Sequence, residues 1–254
     1  MKLEENVPLS RYTTLGTGGP ARYFAKPASI IELEELLAWA HGGGVPVAPV
    51  GLGSNLLVHD DGVDALVLRL EGELSEVRVD GEQLVAGGGA TNAVCLHRAR
   101  DAGLGGLEFA SAIPGTIGGG VRMNAGAYGV ELRDVLVDAV IAGPDGTRTA
   151  GLDELDLSYR HSSLAPGEVV AQARLRLEPR APVAIRAHVA ELLAQRKATQ
   201  PTTKRTFGSV FKNPPGESAG RLIEQTGLKG HRIGGALISP RHANFIENAG
   251  DASS

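Results

Sequence analysis

Four segments bring together residue types that could do chemistry. Gly51-Leu52-Gly53-Ser54-Asn55 follows a short apolar run. A glycine turn after a strand exposes backbone N–H groups that can cradle a pyrophosphate. Ser54 and Asn55 add polar groups, and a plain surface turn is the other reading. The segment is neither a G-x-G-x-x-G fingerprint, which fails at Leu56, nor a Walker A loop. Next, Ile113-Pro114-Gly115-Thr116-Ile117-Gly118-Gly119-Gly120 leads to Met123-Asn124-Ala125-Gly126-Ala127-Tyr128. Absent side chains let a flat or phosphate-bearing ligand reach the main chain, or let the loop pack against another domain. Leu157-Ser158-Tyr159-Arg160-His161-Ser162 sets one arginine in a polar island. A guanidinium there could grip a carboxylate with two parallel bonds, or simply be a surface arginine. Thr206 to Pro214 puts Ser209 on a turn, with Lys212 and Asn213 close behind. Gly-x-Ser-x-Gly fails at Phe211, so this is no hydrolase elbow, and a capping or turn serine is the alternative.

These segments need elements to hold them. Ser29-x-x-Glu32 after Pro27 reads as a capping box, and Ile30, Leu33, Leu36, Leu37 and Ala40 give a helical period. Gly42-Gly43-Gly44 ends that helix, and Val45–Val50 reads as a short buried strand feeding the Gly51 turn. Alternation over 65–70 gives another strand. Residues 77–86 read as a hairpin turning at Asp80-Gly81. A helix is expected from Thr91 to Ala102, closed by Gly103. Residues 103–130 are poor in periodicity, and so long an irregular stretch in a compact domain is usually functional. Strands are expected over 135–142, 147–150 and 169–177, the first two joined at Pro144-Asp145-Gly146. Pro179 and Pro182 mark a boundary, followed by helices over 182–198 and 218–226 and a strand over 242–246.

Composition narrows the function classes. Of 254 residues 35 are glycine, and residues 87–129 hold 12 of them, about twice an even share. The glycine excess is therefore local rather than general flexibility. With 42% hydrophobic and 21% charged residues the chain can bury a core. A net charge of −4 does not mark a nucleic-acid binder. Cys95 is the single cysteine, so no intramolecular disulfide forms, which suits a reducing cytosol. No apolar run is long enough to span a membrane, and the N-terminus does not read as a signal peptide. The histidines are scattered, and no metal site is expected.

The ordered set of motifs is far more specific than any one of them. Gly51–Asn55, Ile113–Gly119, Asn124–Gly129, Tyr159-Arg160, Gly208–Pro214, Gly227–Gly230, Gly234–Ala236 and His242–Phe245 occur in that sequence. From about Thr13 onward the chain resembles the UDP-N-acetylenolpyruvoylglucosamine reductase family of bacterial cell-wall synthesis. The resemblance implies an α+β protein: a two-lobed FAD-binding fold of the vanillyl-alcohol-oxidase type plus a C-terminal α+β substrate-binding domain. The expected division is residues 1–70 and 71–179 for the FAD lobes and 180–254 for the substrate domain. It implies non-covalent FAD, NADPH as hydride donor, a UDP-sugar substrate and a cytoplasmic enzyme. Hydride would pass from flavin N5 to C3 of the enolpyruvyl group. Arg160 would then steady the charge on the substrate carboxylate, and Ser209 would protonate C2. FAD would lie on Gly51, Gly53, Ser54, Asn55, Ile113, Pro114, Gly115, Gly118 and Gly119, with Asn124, Gly126, Ala127 and Tyr128 near its ring. Tyr159, Lys212 and Asn213 would meet the substrate.

Two departures accompany the resemblance. The family's third catalytic residue is a glutamate near the C-terminus, and this sequence ends at Ser254 before the segment that would carry it. The expectation is therefore a substrate domain lacking its last part. Only 49 positions separate Arg160 from Ser209, which matches the family's shorter form without an inserted tyrosine loop. A flavin-dependent sugar or alcohol oxidase on the same scaffold is the competing reading. Residues 113–129 contain neither His nor Cys for covalent flavin attachment.

Overall fold

The computed structural model describes residues 2–254. Packing divides the chain into two compact units. Among the described residues the first comprises 2–5, 23–51 and 64–193, and the second 6–22, 52–63 and 194–254.

The first unit holds two apolar cores. Helix α1, Ile30–Gly42, begins where the sequence places it: the Ser29 hydroxyl accepts the Glu32 N–H at 3.3 Å. The Glu32 carboxylate answers by taking the N–H of Ala28 at 2.7 Å, one residue earlier than the usual reciprocal bond. Its buried Leu33, Leu36, Leu37 and Ala40 join Leu66 and Leu68 in one core. Those last two come from strand Val63–Leu68, which runs parallel to Val47–Pro49. Burial on both sides explains the near-continuous apolar run there.

The larger core lies against a five-stranded sheet in the order Gly146–Gly151, Leu136–Gly143, Val169–Arg176, Gln83–Gly87, Val77–Asp80. Helix α2, Asn92–Asp101, and the short helix α3, Ile117–Arg122, bury Cys95, Ala99, Ile117 and Val121 into the same core. The first hairpin turns one residue later than expected. Asp80 pairs with Gln83, so Gly81 and Glu82 are the central residues, and Gly81 takes φ +58. A type I′ or II′ turn needs positive φ at its first central position, which glycine adopts without strain. A one-turn helix α4, Leu152–Leu155, follows the sheet's edge strand.

Helix α5, Pro182–Thr199, carries the chain from the first unit into the second. The second unit contains helix α6, Ala219–Gln225, capped by the Ser218 hydroxyl, and a four-stranded sheet. The sheet order is Arg205–Ser209, Phe245–Asn248, Ala236–Ile238, Arg232–Ile233. The last strand begins at Phe245 rather than His242, because the residues before it do other work.

Candidate active site

In the first unit, the glycine-rich stretch is less irregular than its sequence suggests. Glu108–Ala112 forms a 3-10 turn, and Thr116 caps α3. The flanking backbone is pinned by Asn92, whose N–H donates to Gly115 O at 3.0 Å and whose amide donates to Ile113 O at 2.9 Å. Gly118 donates to Gly88 O at 2.8 Å, and a Cβ on Gly118 would sit 2.8 Å from that same oxygen. Gly51 abuts the Thr116 side chain. Pro114 and Gly119 face outward.

Arg160 is held with unusual care. Ser158 and His161 exchange two backbone hydrogen bonds, 3.3 and 3.1 Å, so Tyr159-Arg160 is a two-residue turn. Arg160 sits in it at φ +54, the left-handed region where glycine is the ordinary occupant. Its guanidinium donates to Asn124 O at 3.2 Å and Gly126 O at 2.9 Å, and lies 4.9 Å from the centre of the Tyr159 ring. Backbone strain of this kind costs of order 1–3 kcal/mol and persists where the surroundings over-determine it.

The partner loop is strained as well. Gly126-Ala127 pairs with Val130-Glu131 around Tyr128-Gly129, both at positive φ, as a type I′ turn requires. Asn124 is fully buried at φ +39. Its amide donates to Glu131 Oε2 at 2.8 Å and Ser158 O at 3.2 Å, and its Oδ1 accepts the Arg133 N–H at 3.0 Å. Asn124 thus ties together its own loop and the Ser158–His161 turn that carries Arg160. Glu131 and Arg133 were not singled out from sequence. Their signal is an ionisable side chain beside a run of small residues. Tyr128 is half-exposed, with its hydroxyl on Leu192 O at 3.1 Å.

In the second unit, Ser209 ends the strand Arg205–Ser209 rather than lying on the turn expected from sequence, because it pairs with Phe245, and this strand end is gripped on two sides. Gly208 has φ +78, and the exposed Ser209 faces Phe245 across an irregular strand pair. Asn244, only 3% exposed, makes a backbone-like double bond to Phe211: Oδ1 accepts its N–H and Nδ2 donates to its carbonyl, both at 2.9 Å. Asn244 O also accepts the Val210 N–H at 3.0 Å. This is why His242-Ala243-Asn244 lies outside the strand. From the other side Asn55 donates to Phe207 O at 2.8 Å and Ser209 O at 3.3 Å. Ser54 precedes it, and its carbonyl is 3.5 Å from where a Gly208 Cβ would stand. Gly53 is buried at φ +61, and a Cβ there would lie 1.9 Å from Tyr12 O. Lys212 is exposed, and Asn213 Oδ1 accepts the Ala219 N–H at 3.0 Å.

Two ionisable groups outside these turns are shifted by burial. The Cys95 thiol is pushed up to about 12 and so stays protonated. His242 is held below its ordinary value, first by desolvation and then by Lys229.

The residues present suit a dinucleotide. The buried Ser111 Oγ has no hydrogen-bond partner among the described residues, and it directly precedes the 113–119 loop. A buried polar atom left unpaired costs about 1–3 kcal/mol, so such an atom points to a partner from outside the chain. Small residues over 113–127 leave main chain where phosphates or a flat ring could approach.

Comparison with known proteins agrees with this geometry. Residues 21–150 match the FAD binding domain family, and residues 200–254 match the UDP-N-acetylenolpyruvoylglucosamine reductase C-terminal domain. The UDP-N-acetylenolpyruvoylglucosamine reductase of Acidiphilium cryptum is 47% identical over 250 residues, covering 98% of this chain and 80% of that protein. A second such reductase, from Symbiobacterium thermophilum, is 46% identical over 99% of this chain and 82% of its own length. The crystal structure of the Thermus caldophilus reductase superposes with a TM-score of 0.89 at 40% identity, over 100% of this chain and 90% of that one. A cholesterol oxidase superposes at 0.52 with 17% identity, over 66% of this chain and 36% of that one, and shares the fold alone. The fold is therefore α+β, an FAD-binding domain of the vanillyl-alcohol-oxidase type with a separate C-terminal domain. The oxidase alternative rests on distant likeness of fold alone, whereas the relatives at 40%, 46% and 47% identity are reductases. With both domains matched and close to half of its residues shared along nearly its whole length, the chain belongs to the UDP-N-acetylenolpyruvoylglucosamine reductase family.

Proposed function

We propose that the protein reduces the enolpyruvyl ether of UDP-N-acetylglucosamine to UDP-N-acetylmuramate, with FAD bound and NADPH as reductant, in the cytoplasm. The observation that carries the reading is the left-handed, carbonyl-anchored Arg160. Bound FAD would supply the hydride that arrives at C3 of the enolpyruvyl group. Residues Gly51, Gly53, Ser54, Asn55, Ile113–Gly119 and Asn124–Tyr128 would hold it, largely through main chain. Tyr159, Lys212 and Asn213 would bind the UDP-sugar. In functional terms we assign residues 1–70 and 71–179 to the flavin and 180–254 to the substrate, a division distinct from the packing units. No described helix is long and apolar enough to cross a membrane.

The chemistry asked of the side chains is specific. As C3 gains hydride, negative charge develops at C2 and spreads onto the adjoining carboxylate. A guanidinium fixed before reaction stabilises that charge more in the transition state than in the ground state. Arg160 supplies it, oriented by two carbonyls rather than by the substrate itself. Ser209 supplies the proton that completes C2.

The test is a pair of half-reactions. The purified protein should be yellow with releasable FAD. Anaerobic NADPH should bleach it, and the enolpyruvyl ether should restore the colour. Ser209→Ala should slow the second step far more than the first. A flavin reoxidised rapidly by O₂ but not by the ether would overturn the reading.

A further inference from the structure

The turn expected at the flavin phosphates and the strand end carrying the proton donor are tied to each other through residues 53–55 and 206–209 of one compact unit. Asn55 Nδ2 donates to Phe207 O at 2.8 Å and Ser209 O at 3.3 Å, so a single amide brackets Gly208. A Cβ on Gly208 would meet that nitrogen at 3.4 Å, an ordinary van der Waals contact, so it is the φ of +78 rather than crowding that calls for glycine there. Thr14 makes a second tie. Its hydroxyl donates to Thr206 O at 2.5 Å and also lies 3.3 Å from Gly53 O, while its N–H donates to Gly53 O at 3.1 Å. The bonds from Asn55 and Thr14 to residues 206–209 join partners 152 to 192 positions apart along the chain, so they are purely tertiary. Beyond the Ser209 strand end, Phe211 rests on Asn244.

We propose that Asn55, seconded by Thr14, is a positioning residue that couples flavin occupancy to the placement of Ser209. This rests on the proposed reductase function. A ligand that orders Gly51–Asn55 fixes the amide of Asn55, and the amide fixes the two carbonyls either side of Gly208. The proton donor is thereby held more firmly when the hydride source is bound. Thermodynamic linkage makes the effect reciprocal: a ligand engaging the Ser209 strand end must tighten FAD binding by the same factor. Couplings of this kind usually amount to 5–150-fold.

Three measurements test this with Asn55→Ala, the isosteric Asn55→Asp, which loses the donor, Thr14→Val, and Thr14→Ser, which keeps the hydroxyl. The first needs no turnover: amide hydrogen exchange of residues 206–211 in the apoprotein and with FAD. FAD should slow exchange there in the wild type, and this protection should shrink in Asn55→Ala, Asn55→Asp and Thr14→Val but return in Thr14→Ser. The second is the FAD dissociation constant with and without UDP-N-acetylmuramate. The wild-type ratio should be about tenfold, within the usual range, and should fall towards one in the donor-less variants. The third is the split between half-reactions: reoxidation by the ether should lose about tenfold more than reduction by NADPH, since a misplacement near 1 Å can cost up to about 10²-fold. Equal slowing of both halves, an unchanged binding ratio or unaltered exchange would overturn the coupling. If Asn55→Ala retains no FAD, exchange in the apoprotein decides: faster exchange at 206–211 supports the tie and unchanged exchange refutes it. A wild-type protein whose reduced flavin ignores the ether would sink the reductase reading instead, while leaving the exchange result legible.

Discussion

Replacing Asn124 should show an inverted preference, with glycine better tolerated than alanine. In most ordered positions alanine is the milder substitution, because glycine loses more backbone entropy on folding. Here the backbone sits at φ +39, where a Cβ costs roughly 1–2 kcal/mol and glycine pays nothing. Both substitutions remove the amide and its bonds to Glu131, Ser158 and the Arg133 N–H. At a net of about 0.5–1.5 kcal/mol per hydrogen bond, the three part-buried bonds give a loss of about 1.5–4.5 kcal/mol for either variant, while the Ser158 carbonyl keeps the His161 N–H. Alanine should then lose about 1–2 kcal/mol more than glycine. At 2–4 °C per kcal/mol for a protein of this size, Asn124→Ala should melt about 2–8 °C below Asn124→Gly. The assay is thermal unfolding of the apoprotein, followed by circular dichroism at a fixed heating rate. If the alanine variant melts level with or above the glycine variant, left-handed strain at this loop is not what Asn124 accommodates. Both variants should also weaken the hold on Arg160, whose guanidinium binds the Asn124 carbonyl.

Three further outcomes follow from burial and geometry. Cys95, pushed up to about 12, should not react with a thiol reagent at pH 8 until the protein unfolds. Because its folded value lies above the unfolded one, its stabilising contribution is complete below pH 9 and should fade as pH rises from 9 towards 12. His242 is shifted the other way: burial favours its neutral form, so the unfolded chain binds the proton more readily. Stability should therefore fall as pH drops below 6.5, and His242→Gln should flatten that slope in urea titrations across pH. Gly53→Ala and Gly81→Ala share a positive φ but differ in space: Tyr12 O stands 1.9 Å from the first new Cβ, and nothing lies within 4 Å of the second. Gly81→Ala should cost about 1–2 kcal/mol. Gly53→Ala should cost several times more, or prevent folding, as read by soluble yield and melting temperature.

What could be read from the sequence was mostly what is decided locally. Ser29 and Ser218 announce their helices because a cap needs only the next three residues. Strand alternation shows from Ala171 to Arg176, where Ala173 and Leu175 enter the larger core and Gln172, Arg174 and Arg176 are exposed, whereas Val169–Ala171 is buried on both faces. The Asp80-Gly81 hairpin was placed one residue early because the dipeptide names the turn while cross-strand pairing sets its register. The ties across long separations were invisible. Nothing in Gly51–Asn55 says that its asparagine reaches Phe207 and Ser209, and the same residue types would serve a phosphate equally well. Asn244 shows the same limit, since its amide mimics a strand neighbour and so displaces the start of the real strand to Phe245. Arg160 is the most telling case. Its position, second in a two-residue turn with positive φ, is one that turn chemistry assigns to glycine. A guanidinium is worth that strain only if its charge is needed at one fixed point. Local rules therefore fail at Arg160 for the same physical reason that makes it the residue on which the catalytic proposal rests.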